Sequence, residues 1–133
     1  MVVDRGSRRP VSGWARRAGL VWSLPATLIG LLVAPLFPAR RRRDGALVCE
    51  GGAWLRRLGW RYSAITFGHV ILCAGEIDDA TLAHELVHVA QYDRLGIFFF
   101  PAYGLASLGA LIRGGHHYKD NRFERAARLQ ARR

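Results

Sequence analysis

Residues 84 to 88 read His-Glu-Leu-Val-His, and the segment around them has the marks of a helix. Asp78 and Asp79 can cap its start and favour the positive end of the helix dipole. No Gly or Pro interrupts Ala80 to Leu95, and Gly96 stands where the helix would stop. Leu82, Leu86 and Val89 fall on one side; Thr81, His84, His88 and Gln91 fall on another. On such a helix His84 and His88 leave the same face, where two imidazoles can grip one zinc ion. Glu85 lies round the helix, placed to act on a water at that metal without being a ligand. The competing reading is a surface helix with two solvated histidines. If a metal is held, two ligands leave a tetrahedral site incomplete, so the chain must fold back to deliver a third.

Glu124 is the first choice for that ligand. It opens a C-terminal helix, roughly Asn121 to Arg132, in which Ala127 and Ala131 permit close approach to another helix. The same stretch also matches a capping box, with Glu124 bonding back to the start of its own helix. His116 and His117 are rival ligands. With Tyr118 they are alternatively donors to the oxygen that gains charge during reaction, or members of a solvated loop. His69, between Gly68 and an apolar strand, reads as a pairing or core histidine, with a substrate contact as its functional alternative.

The 133 residues fit one domain, and Lys plus Arg outnumber Asp plus Glu by 20 to 10. The excess is uneven: residues 1 to 43 carry nine arginines against the single acid Asp4. Such asymmetry points to an anionic surface, lipid headgroups or nucleic acid. Nucleic acid is disfavoured, since no zinc-finger spacing or RNA-recognition signature is present. Ala18 to Ala39 is free of charge, long enough to cross a bilayer as a helix, and flanked by Arg16-Arg17 and Arg40 to Arg43. It does not resemble a cleaved signal peptide, and Pro25, Pro35 and Pro38 predict a kinked or broken helix. Residues 1–43 are therefore expected to be a basic, membrane-associating segment, and 44–133 a metal-binding domain. The expected location is membrane-associated, otherwise cytoplasmic.

A second uncharged run spans Leu95 to Ile112, with Pro101 able to begin a helix and Gly114-Gly115 able to end it. If both runs crossed the bilayer, a ligand beyond residue 112 would be cut off from His84 and His88. A buried or re-entrant second run is the expectation. Ala26, Gly30 and Ala34 recur every four residues, as do Ala102, Ala106 and Ala110, which suggests that the two runs pack on each other.

Between the runs, Ala46 to Cys49, Ala64 to Phe67 and Val70 to Cys73 read as strands, and Trp54 to Leu58 as a helical turn. A small sheet packed on helices makes the fold class α+β. Thr66 to Ala74 is a candidate edge for an extended substrate. Cys49 and Cys73 read as small buried hydrophobes, with a disulfide left open.

His84 to Tyr92, followed by Phe100-Pro101-Ala102-Tyr103 and by Tyr118 to Glu124, resembles small bacterial proteins related to the gluzincin zinc metallopeptidases. The similarity extends upstream through Thr66 to Val70. The resemblance implies a minimal zincin-like fold and one Zn2+ held by His84, His88 and Glu124. It also implies hydrolysis of a peptide or protein substrate by a metal-activated water, with Glu85 as general base. The alternative is a non-catalytic, zinc-stabilised membrane-associated protein.

Overall fold

The computed structural model describes residues 13–133, and the first twelve residues of the basic N-terminal segment lie outside the described residues. The apolar run breaks where its prolines predict. Helix α1 (Gly13–Trp22) ends at Ser23, and helix α2 (Leu24–Val33) begins with Pro25 in its first turn and ends in a 3-10 turn at Ala34–Leu36. No continuous helix covers residues 18–39.

Arg40 to Arg43, expected as the flank of a membrane segment, instead form most of strand β1 (Ala39–Arg43). β1 pairs antiparallel with β2 (Ala46–Glu50) through an Asp44-Gly45 turn, in which both residues have positive φ, 50° and 83°. The pairing crosses the 43/44 boundary, so the basic run and the sheet are one structural unit. An edge strand of arginines resists pairing with other chains, and two of its four have partners. Arg41 Nε lies 2.9 Å from Glu50 Oε1, and Arg40 donates to the carbonyls of Phe37 and Ala34.

After the short helix α3 (Trp54–Arg57) come β3 (Ala64–Phe67) and β4 (Val70–Cys73), which pair antiparallel. β4 also runs parallel to β2, giving the order β1-β2-β4-β3 and a mixed sheet in an α+β fold. β3 is therefore a true edge, whereas β4 is interior. The candidate edge Thr66 to Ala74 shrinks to residues 64–67.

Both faces of the sheet are covered, so β4 is apolar and buried throughout. On one face Ala46, Val48, Ile71 and Cys73 pack against Leu82 and Val89 of helix α4 (Asp79–Leu95). On the other, Cys49, Val70 and Leu72 meet Ala34 and Phe37. Cys49 and Cys73 are both buried free thiols, and no disulfide joins them. Gly30 and Ala34 of the α2 stripe serve this second face, while Ala26 packs against Tyr92 and Phe99. A Cβ on Gly30 would sit 2.6 Å from the Val70 Cβ, so α2 lies close on the sheet and does not pair its stripe with Ala102, Ala106 and Ala110 as expected.

Helix α4 starts as its sequence predicts. Asp78 is the N-cap and accepts from the Thr81 amide at 2.7 Å. It ends at Gly96, where φ is +56° and a Cβ would lie 2.5 Å from the Trp22 carbonyl oxygen. Both the conformation and the contact exclude other residues there. By length and composition the helical stretch Asp79–Ile112 is apolar enough to cross a membrane. At Gly96 a 3-10 turn separates α4 from helix α5 (Phe99–Ile112). Helix α6 (Arg122–Ala131) then returns along α4, with the small Ala127 fully buried.

Candidate metal centre

Three side chains meet where α4 and α6 cross. His84 Nε2 and His88 Nε2 are 3.2 Å apart, because residues four apart on a helix stack one above the other. Glu124 reaches them from forty residues on, with Oε2 2.9 Å from His84 Nε2 and Oε1 3.2 Å from His88 Nε2. The ligating atoms all lie within 4.8 Å of one another. Glu124 is free to do this because Asn121 caps α6 alone, its Oδ1 accepting from the Phe123 amide. The capping-box alternative is excluded. The Asn121 amide group in turn donates to Tyr103 O and Ser107 Oγ, which ties the start of α6 to α5.

Further polar contacts orient the three. His88 Nδ1 lies 2.8 Å from Gln91 Oε1, and the Gln91 amide donates to Phe123 O. With Nδ1 directed to Gln91, Nε2 is the atom that faces Glu124, donating to it when protonated and free to ligate when that proton is lost. The Tyr103 hydroxyl donates to Glu124 Oε1 at 2.7 Å. Burial works against the Glu124 charge, but hydrogen bonds from His84, His88 and Tyr103 outweigh it and hold the carboxyl well below the usual carboxylate range. Burial likewise opposes a charge on His88; Glu124, Glu85 and Gln91 overcome it and raise the imidazole. The set is two imidazoles and an ionised carboxylate with their ligating atoms gathered at one point. Its spacing is a few tenths of an ångström tighter than the about 3.4 Å between donors of a tetrahedral zinc site. These residues fit a divalent ion of that class.

Glu85 is buried, and Thr66 Oγ1 donates to its Oε2 at 2.7 Å. Burial pushes its carboxyl up, against the lowering effects of His88, Thr66 and His84. Since Thr66 holds one oxygen, Oε1 is the one left to exchange a proton. Glu85, His88 and Glu124 border a cavity of about 280 Å³ that also touches edge strand β3 and is otherwise walled by aromatic rings. His117 and Tyr118 line it too. The Tyr118 and Tyr103 hydroxyls are both pushed up, first by burial and then by Glu124, so both stay protonated donors.

Two sequence candidates are elsewhere. His116 Nδ1 accepts from the amides of Tyr118 and Lys119, so it builds the turn before α6. His69 Nε2 lies 2.6 Å from Asp93 Oδ1 and Nδ1 faces the Gly45 carbonyl, linking the β3–β4 turn to the end of α4. Neither lines the cavity.

Sequence reasoning left Tyr103, Gln91 and Trp60 without site roles, and gave Thr66 only a place on the substrate edge. Gln91 had a signal, its place on the histidine face of α4. Trp60 had none. Its Nε1 is buried at the cavity wall without an acceptor, the sole side-chain atom in that state among the described residues.

Comparison of the chain with protein-family models, with curated proteins and with solved structures finds no match. The site is therefore read from its own geometry.

Proposed function

We propose that this chain is a minimal, gluzincin-like zinc metallopeptidase that associates with a membrane through residues 18–39. One observation carries the reading: Glu124 meets both His84 and His88, and Glu124, His88 and Glu85 border the same cavity. A helix bearing two solvated histidines would not need a buried carboxylate brought from forty residues away.

His84, His88 and Glu124 would hold one Zn2+. When bound, that ion supplies Lewis acidity, polarising a carbonyl oxygen and making water easier to deprotonate. The chain's own residues do the rest. Glu85 takes a proton from water at Oε1 and delivers it to the departing amine, while Thr66 fixes the carboxylate through Oε2. Burial raises Glu85 above the ordinary carboxylate value, the direction that makes a carboxylate a better proton acceptor. The neutral Tyr118 hydroxyl can donate to the carbonyl oxygen as it gains charge. Edge strand β3 offers backbone groups to an extended peptide.

A peptidase assay with Glu85→Gln tests this. Turnover should vanish while bound zinc, measured by elemental analysis of the purified protein, stays near one per chain. Zinc that fell as far as activity would remove Glu85 from its assigned role. A structural centre without turnover is favoured by one feature: His117 borders the same cavity and could close the coordination shell. In that case wild type and E85Q would behave alike.

A further inference from the structure

Helices α2 and α5 have no polar face. Leu24, Leu28, Ile29, Leu31 and Leu32 of α2 are exposed, as are Leu105, Leu108, Leu111 and Ile112 of α5. Only 17% of the most apolar window leading into α5 is buried. Just ahead of the two helices, the exposed rings of Trp22 (before α2) and Phe98 (before α5) lie 5.9 Å apart, which brings the starts of both apolar faces together. This apolar area far exceeds the isolated leucines that a soluble surface ordinarily shows.

The ends of each helix say what covers it. Arg17 precedes the first apolar run and Arg40 follows it; Arg94 precedes the second and Arg113 follows it; no acid lies within either. Arginines at both ends of an apolar helix suit anionic headgroups around a hydrocarbon layer. Neither helix is long enough to cross by itself, and the stretch Asp79–Ile112 reaches that length only by including α4, which holds His84 and His88. α5 has 14 residues, ~21 Å, and α2 has 10, ~15 Å, against about 30 Å of hydrocarbon. Moreover, Glu124 beyond α5 touches His84 before it, so α5 does not carry the chain to an opposite side.

We propose that α2 and α5 together form a platform that lies in one leaflet of an anionic bilayer without spanning it. α5 contributes as much as the N-terminal segment. Phe99, Phe100 and Tyr103 on the inner side of α5 wall the cavity, so the platform sets the cavity about one helix diameter from the lipid-facing leucines, at the level of the headgroups. This placement does not depend on catalysis or on metal.

The test uses the full chain and sedimentation with vesicles of phosphatidylcholine and phosphatidylglycerol. Wild type should pellet with them and bind more weakly to phosphatidylcholine alone. A Leu105→Glu/Leu108→Glu variant should partition at least ~10-fold less, since two exposed leucines would leave hydrocarbon. Leu58→Glu, at a leucine equally exposed beside α3, should bind as wild type. A nitroxide on Leu108→Cys should report a depth of about 5–10 Å below the headgroups. Cys49 and Cys73 are buried and will not compete for the label. Unchanged binding of the α5 double variant would overturn the proposal, as would a mid-bilayer depth. So would a wild type that ignores vesicles and forms a stable dimer, which would assign the face to a second copy.

Discussion

Replacing Glu124 by Gln keeps the shape of the side chain and removes its charge. In the folded protein the carboxylate accepts from Tyr103 and faces both His84 and His88 while almost fully buried. Without metal, the change weakens two charge-assisted contacts, each worth about 1.5–3 kcal/mol, but relieves the desolvation of a buried ion pair. The net cost to the apo protein should be small, about 1–2 kcal/mol. The effect on metal should be much larger, because one ligand in three loses its charge. Zinc at a hundred times its Kd adds about 2.7 kcal/mol to stability. An unfolding entropy of about 2.1 cal/mol/K per residue over 133 residues turns this into a Tm rise of roughly 10 °C. If E124Q binds about a hundredfold more weakly, the same zinc concentration adds only about 0.4 kcal/mol, or ~1.5 °C. The assay is thermal unfolding of both proteins, with zinc stepped from none to excess. An E124Q shift equal to that of wild type would refute the three-ligand site. So would a wild type that zinc leaves unchanged.

Three other outcomes are expected. Trp60→Phe removes a buried donor that has no acceptor, so it should leave stability unchanged or raise it by about 1 kcal/mol, read as a Tm that does not fall. His69 is raised above its ordinary value, first by its hydrogen bond to Asp93 and against burial. A base raised on folding adds stability that is complete below about 6.5 and is lost as pH rises through the folded value. Asp93→Asn should flatten that decline in denaturant titrations run from pH 6 to 9. Gly30→Ala drives a Cβ to 2.6 Å from the Val70 Cβ and should destabilise by about 1–3 kcal/mol, read as a lower Tm, because α2 must lift from the sheet.

Local signals explain most of the secondary structure that the sequence makes legible. Asp78 and Gly96 bound α4 because a cap and a positive-φ glycine act within a few residues of themselves. The apolar runs of β2, β3 and β4 and the break at Pro25 are legible for the same reason. β1 is not, since four arginines carry no apolar alternation; only the Asp44-Gly45 pair hinted at a hairpin, and the partner strand supplies the rest. The α2 stripe was legible as a close-packing surface but not its partner, because small residues fit a strand as well as a helix.

The candidate site divides along the same line. The facing imidazoles and the position of Glu85 follow from helical periodicity alone, with no knowledge of the fold. Whether Glu124 caps its own helix or joins the histidines could not be read from spacing, since both uses satisfy local rules. The close packing of α6 on α4 around Ala127, and the tie of Asn121 to α5, decide it. The same packing separates His117 and Tyr118 at the cavity from His116 in its turn and His69 against Asp93. Helix geometry links residues a few positions apart; only burial against another element can say which distant group a buried charge will meet.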